Sequence, residues 1–207
     1  MNIAVLVSGG GTNLQALIDY EAAEKSGCPY HISCVMSTRK DAYAIERAKK
    51  AGIPVELVGP YAVLGAEKAK AASRDEKRLA VSDRILENCR KFNIDIIVLA
   101  GCLVVLGGQI CKDYENRIIN LHPALLPKFG GEGMWGENVH KAVLAAGEKE
   151  SGCTVHIADS GCDTGRILVQ KSVPVMPGDT VETLYARIAP KEKEAIIEGV
   201  CMMAKNL

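Results

Sequence analysis

Residues 1–19 read MNIAVLVSGGGTNLQALID, and three kinds of sequence follow one another inside them. Residues 2–7 (NIAVLV) are a short β-branched apolar run bounded by glycine, the mark of a strand. SGGG breaks that run. From Thr12 onward Leu14, Leu17 and Ile18 recur at helical spacing. Thr12 and Gln15 also have capping-box spacing, so a helix is expected to begin at the glycines. Strand, glycine turn and helix are the opening of a strand–helix–strand crossover, the unit of parallel sheets.

Working outward, the same order recurs. HISCVMS (31–37) reads as a strand, DAYAIERAKKAG (41–52) as a helix ending at Gly52, and IPVELV (53–58) as a strand again. Residues 65–92 are charged with a helical period and predict one long helix. IDIIVLAG (94–101) is the most apolar strand candidate, which places it centrally. A short helix near 107–114, a strand at RIINLHP (117–123), a glycine-rich loop KFGGEGMWGEN (128–138) and a helix at VHKAVLAAGEKE (139–150) follow. The last third offers strand CTVHIAD (153–159), a turn at SGCDTG (160–165), strand RILVQKSVPV (166–175) and a helix from about Asp179 to the end. The fold class expected is α/β: a Rossmann-like, mostly parallel twisted sheet with helices on both faces. No repeat or linker divides the 207 residues, so residues 1–207 are expected to form a single domain.

Composition limits function. Lys and Arg total 25, as do Asp and Glu, so no global charge draws the chain to nucleic acid or an anionic membrane. Any anion must be held locally. No stretch approaches the roughly 18 apolar residues of a membrane span, and the N-terminus lacks a basic segment before a long apolar one. A cytoplasmic location follows as an expectation. Eight cysteines without C-x-x-C spacing are expected to be reduced, and mostly buried as small hydrophobes. Four histidines (His31, His122, His140, His156) without H-E-x-x-H give no metal motif.

Two places carry candidate chemistry. SGGGTN stands between strand and helix, where backbone N–H groups and the positive helix end converge, which suits a phosphate. It lacks the Gly-Lys-Ser/Thr of a P-loop, and Leu14 stands where a dinucleotide fingerprint needs its third glycine. Ser37, Thr38 and Arg39 could still hold the extra phosphate of NADP, which keeps a reductase open as an alternative. A non-catalytic nucleotide- or NADP-binding module would use the glycine loop without explaining Asn120, His122 and Asp163. In RIINLHP, Asn120 and His122 lie two apart and so leave the same strand face, at the carboxyl end where open α/β sheets bind ligands. Asp163 follows in Asp-Thr-Gly. A histidine before proline or an aspartate in a turn is commonly structural. Together, however, an amide, an imidazole and a carboxylate supply the oxyanion donor and proton acceptor that acyl transfer to an amine needs.

These residues resemble a known family. SGGGTNLQALID, VMSTRKDAYAIERAKKAGIP, LAGCLVVL, IINLHPALLP and DTGRILVQKSVPV are similar to phosphoribosylglycinamide formyltransferase, the folate-dependent enzyme of purine biosynthesis, over nearly the whole chain. The resemblance implies a formyltransferase fold, with a phosphate-binding half at about 1–100 and a folate-binding and catalytic half at about 101–207. It implies transfer of formyl from 10-formyltetrahydrofolate to the amine of phosphoribosylglycinamide, with no metal. The family's catalytic Asn, His and Asp fall on Asn120, His122 and Asp163, and its substrate contacts on Gly11, Thr12, Asn13 and Glu192. Its pterin pocket corresponds to Leu103, Val104, Val105 and Leu106 and to the loop holding Ala158 and Asp159, with Arg74 at the folate tail. His122 is expected as an imidazolium held by Asp163, and the Leu126–Pro127 peptide as cis. Where relatives have a short Pro-Gly turn this chain has GGEGMWGENVH, in which Trp135 is a candidate flap residue or a packed surface aromatic. The partners implied are small molecules, without nucleic acid or membrane, for a monomer or homodimer. A hydrolase releasing formate from the same folate is the rival within the family. Transfer to methionyl-tRNA fits less well, since those enzymes add an RNA-binding domain.

Overall fold

The computed structural model describes residues 1–102, 104–159 and 161–205. Two compact units divide it, Met1–Ile118 and Ile119–Leu207. The strands form a seven-stranded mixed sheet in the order β3-β2-β1-β4-β5-β6-β7.

The first unit contains β1 (Asn2–Val7), α1 (Thr12–Glu24), a 3-10 turn at Lys25–Gly27, β2 (His31–Ser37), α2 (Ala44–Lys50) and β3 (Val55–Leu57). It continues with α3 (Pro60–Leu64), α4 (Ala66–Ala71), α5 (Arg74–Lys91), β4 (Ile96–Leu99) and α6 (Gln109–Asp113). β1 pairs in parallel with β2 and β4, and β2 with β3. β1 is an interior strand of the parallel part of the sheet, where crossover helices cover both faces, and Ile3, Ala4, Val5, Leu6 and Val7 are all fully buried. β4, expected to be central, is likewise buried along its whole length.

Two local expectations change. The helix of residues 65–92 is two helices, α4 and α5, parted at Ser73. The Ser73 hydroxyl accepts from the Glu76 N–H at 3.2 Å and the Glu76 carboxylate accepts from the Ser73 N–H at 2.7 Å, a complete capping box that starts a new helix. At Thr12 the expected capping box does not form. Gly11 is the N-cap of α1 in the left-handed region, with no side-chain cap. The Gln15 side chain bonds Asp19 and Arg47 instead. α3 was not anticipated. Pro60 opens it, where a missing N–H costs nothing.

The second unit holds β5 (Ile118–His122) from its second residue on, then α7 (Glu137–Ala145), β6 (Glu150–Ile157), β7 (Ile167–Pro174) and α8 (Val181–Lys205). β5 pairs antiparallel with β6, and β6 with β7. The connection from β6 to β7 is too short for a crossover, so this part of the sheet is antiparallel. α8 packs closely on β6: a Cβ added at Gly199 would lie 2.6 Å from a Val155 methyl.

All eight cysteines are free thiols, but only Cys34, Cys89 and Cys153 are buried. Burial pushes each of those three thiols up to about 12. Cys28, Cys102, Cys111 and Cys201 are half-buried and Cys162 is exposed, so the expectation of mostly buried cysteines does not hold. Cys162 lies in the β6–β7 turn, where no core is available. No helix among the described residues is long and apolar enough to cross a membrane.

Candidate active site

In the second unit, strand pairing assembles a polar cluster. Asn120 and His122 share one face of β5, and the antiparallel register sets His156 opposite Asn120 and Thr154 opposite His122. Asp163 joins from the β6–β7 turn, in the left-handed region at φ 59°. Aspartate enters this region more readily than most residues because its side chain bonds locally. The turn is braced by Asp159, whose Oδ1 accepts from the Gly161 N–H at 3.0 Å and from the Thr164 hydroxyl at 2.8 Å. At Gly165 a Cβ would fall 1.9 Å from the Ile157 carbonyl oxygen, so only glycine lets the turn rejoin β7.

The Asp163 carboxylate is the hub. Its Oδ2 accepts from the Gly131 N–H at 3.0 Å and lies 3.5 Å from His122 Nδ1. Its Oδ1 lies 3.4 Å from both Asn120 Nδ2 and His156 Nε2. Asn120 Nδ2 makes its shorter contact, 3.1 Å, with His156 Nε2. His122 Nε2 donates to the Phe129 carbonyl at 2.8 Å, which leaves Nδ1 toward Asp163. The three residues expected from the sequence therefore come together. His156 was missed as a member of the cluster; its only signal is its parity with Thr154 on β6.

Protonation follows from burial and neighbours. Burial alone would raise the Asp163 carboxyl, but the His156 contact, the Gly131 N–H and the nearby imidazoles outweigh it, and its pKa falls below the ordinary carboxylate value. His122 is pushed below its ordinary 6.5, first by burial, against the opposing pull of Asp163 and the Phe129 carbonyl. At neutral pH the resting pair is thus a carboxylate and a neutral imidazole. That corrects the expected imidazolium: a 3.5 Å contact with Asp163 does not offset the desolvation of a ring only 3% exposed.

The loop after β5 is tied to this cluster through its backbone. A Cβ at Gly130 would meet a Leu126 methyl at 2.5 Å and Asp163 Cβ at 3.2 Å, so the loop stem packs directly on the carboxylate residue. The Thr154 hydroxyl donates to the Ala124 carbonyl at 2.6 Å and accepts from the Leu126 N–H at 3.1 Å, and Gln170 donates to the Leu126 carbonyl at 2.8 Å. The Leu126–Pro127 peptide is cis, as expected. Farther out, the Asn138 side chain donates to the Gly133 carbonyl at 3.2 Å, closing the loop around Trp135. Trp135 is 55% exposed on this loop.

Elsewhere in this unit, Glu192 is buried on α8 and, after burial itself, is the next cause of the raised Cys153 thiol. Ala158 and Asp159 follow β6 directly. In the first unit, Gly11 is the N-cap of α1, and Thr12 and Asn13 are its first two residues. Gly11 has φ 70°, and a Cβ on it would lie 2.6 Å from that of Ala44. Val104, Val105 and Leu106 form an irregular stretch after β4, anchored where the Gly107 N–H donates to the Ser82 hydroxyl at 3.0 Å. Leu103 lies outside the described residues. Arg74 is the first residue of α5 and is exposed. Arg39, a candidate for an NADP phosphate, is engaged by Asp41 through two contacts of 3.0 and 2.7 Å. Among the described residues no group of three His, Cys, Asp or Glu side chains is placed to hold a metal ion.

Buried histidines make stability depend on pH. His140 on α7 is buried against the Tyr185 ring at a centroid distance of 5.6 Å, and its Nδ1 meets no hydrogen-bond partner among the described residues. Burial first and His122 second lower its pKa below 6.5. For both histidines the folded pKa is below the unfolded one, so the unfolded chain binds more protons as pH falls below about 6.5 and stability is lost. The lowered Asp163 adds a loss in the same direction through the carboxylate range. Urea midpoints should therefore fall from pH 7 to pH 5, and less steeply in His140→Phe. A midpoint flat or rising over that interval would contradict this.

The chain has clear relatives. Residues 1–200 match the family model described as formyl transferase. Over 198 residues it is 38% identical to the chloroplastic phosphoribosylglycinamide formyltransferase of Vigna unguiculata, covering 96% of this chain and 59% of that protein. It thus spans less than two thirds of that relative's length. It is 35% identical over 190 residues to the phosphoribosylglycinamide formyltransferase of Haemophilus influenzae, covering 92% of this chain and 81% of the other. The crystal structure of glycinamide ribonucleotide transformylase 1 from Symbiobacterium toebii matches with a TM-score of 0.85 at 36% identity, covering 100% of this chain and 88% of that one.

Proposed function

Because this chain belongs to the formyl transferase family, we propose that it transfers a formyl group from 10-formyltetrahydrofolate to the glycinamide amine of phosphoribosylglycinamide. The observation that carries this reading is the convergence of Asn120, His122 and an ionised Asp163 in one cluster. The acceptor enters as an ammonium and must lose a proton before its nitrogen can attack. Asp163 is the carboxylate suited to take it. Attack on the formyl carbon breaks the C=O π bond and places negative charge on oxygen. Asn120 Nδ2 can turn to that oxyanion by giving up its long 3.4 Å contact with Asp163 while keeping the 3.1 Å contact with His156. Collapse expels the folate nitrogen, which takes the proton held by the Asp163–His122 pair, while the attacking nitrogen releases its remaining extra proton to solvent as the neutral amide forms.

The remaining assignments belong to the same reading. Gly11, Thr12 and Asn13 hold the substrate phosphate at the start of α1, where a helix leaves N–H groups without intrahelical partners. Glu192 contacts the acceptor. Val104, Val105, Leu106, Ala158 and Asp159 contact the folate, with Arg74 toward its tail. Residues 1–207 then act as one formyltransferase domain. The test is an assay of the purified chain with both substrates, reading formylated product and free formate separately. Formylated product in step with folate release is expected. Formate release without acceptor formylation would make the chain a hydrolase instead.

A further inference from the structure

The glycine loop has no lysine, so the charge that would meet a phosphate there must come from another element. α2 brings one. Arg47 Nε donates to the Gly10 carbonyl at 2.8 Å, and Nη1 donates to Gln15 Oε1 at 2.9 Å. The guanidinium lies over the Tyr43 ring with its carbon 5.0 Å from the centroid. The Ala44 N–H donates to the Gly9 carbonyl at 3.1 Å, and Ala44 Cβ occupies the space a side chain on Gly11 would need. α2 and the loop therefore pack as one piece, with Arg47 half-buried against it. Of the five guanidinium donors two are engaged, and Arg47 meets no carboxylate among the described residues. On the other side, an added Cβ at Gly9 or Gly10 would meet nothing within 4 Å, so the loop is open to a ligand.

Building on the proposed function, we propose that Arg47 is the specificity-determining residue for the phosphate of the acceptor. It positions the loop through Gly10 and Gln15, and its remaining N–H donors supply the charge that a P-loop takes from lysine. Selection of a phosphorylated acceptor over its unphosphorylated riboside then rests on one side chain from the neighbouring helix.

Arg47→Gln keeps an N–H able to reach the Gly10 carbonyl but loses the charge, and Arg47→Lys keeps the charge but loses the fork. In Arg47→Gln, KM for phosphoribosylglycinamide should rise about 10- to 100-fold, the loss of a charge-assisted hydrogen bond, with kcat nearly unchanged. KM for the riboside lacking phosphate should not move, and Arg47→Lys should recover most of the loss. Calorimetric titration with inorganic phosphate, which needs no turnover, should show the same weakening in Arg47→Gln. Arg47→Met serves with the same readouts if the glutamine variant does not fold. Equal phosphate affinity in wild type and variant overturns the inference, as does an equal rise in KM for both acceptors, which is what a purely structural role gives. A wild type that binds phosphate through Arg47 yet forms no formylated product would overturn the proposed function and leave this inference standing.

Discussion

Asp163→Asn should lower turnover by about 10²- to 10⁴-fold, the range for loss of a positioned proton acceptor, while KM for phosphoribosylglycinamide changes little. The substitution is nearly isosteric, and the amide oxygen can still accept from the Gly131 N–H that now meets Oδ2 at 3.0 Å. What disappears is the charge, held on Asp163 by its lowered pKa despite burial. His122→Ala should lose turnover to a similar degree, because Asp163 and His122 handle one proton as a pair separated by 3.5 Å. Groups that act as a unit are not additive, so the double variant should be scarcely worse than the worse single one. Since His122 is buried, thermal melting must accompany the kinetics, with His122→Gln as a variant that leaves less of a cavity. Near-normal turnover in a stably folded His122→Ala would return this histidine to a purely structural role, bonding the Phe129 carbonyl.

How much of this was legible in the sequence depends on the range of the interaction. The period-2 spacing of Asn120 and His122 fixes their shared face, and β1, β2 and β5 fall where apolar runs and glycines place them. His156 was invisible as a partner because its meeting with Asn120 is set by the β5–β6 register across 36 residues. The neutral state of His122 was equally hidden, since it follows from burial and from where residues 128–131 return to the cluster. Even local chemistry can mislead. Thr12 and Gln15 had capping-box spacing, but Gly11 turns left-handed and Arg47 claims the Gln15 oxygen. Ser73 and Glu76 had the same spacing and formed the box, concealed within a stretch whose helical period looked continuous.

Asn120→Ala should lower turnover about 10²- to 10³-fold, the usual effect of removing one oxyanion donor. No neighbour can substitute. His156 points Nδ1 at the Ile157 carbonyl at 2.9 Å and Nε2 at Asn120 and Asp163, and His122 Nε2 is engaged by Phe129. Asn120→Asp separates the amide's donor role from its volume. A carboxylate there cannot donate to an oxyanion, and it stands where Nδ2 now lies 3.4 Å from Asp163 Oδ1. A like charge disfavours ionisation, so the Asp163 pKa should rise and the acid limb of the kcat–pH profile should move to higher pH. Asn120→Ala adds no such charge. Its pH profile should keep the wild-type shape at a lower plateau, with KM for the phosphorylated acceptor close to wild type. Turnover within about 3-fold of wild type in Asn120→Ala would be far below the loss expected for an oxyanion donor, and the assignment would then fail, leaving Asn120 as a brace between His156 and Asp163.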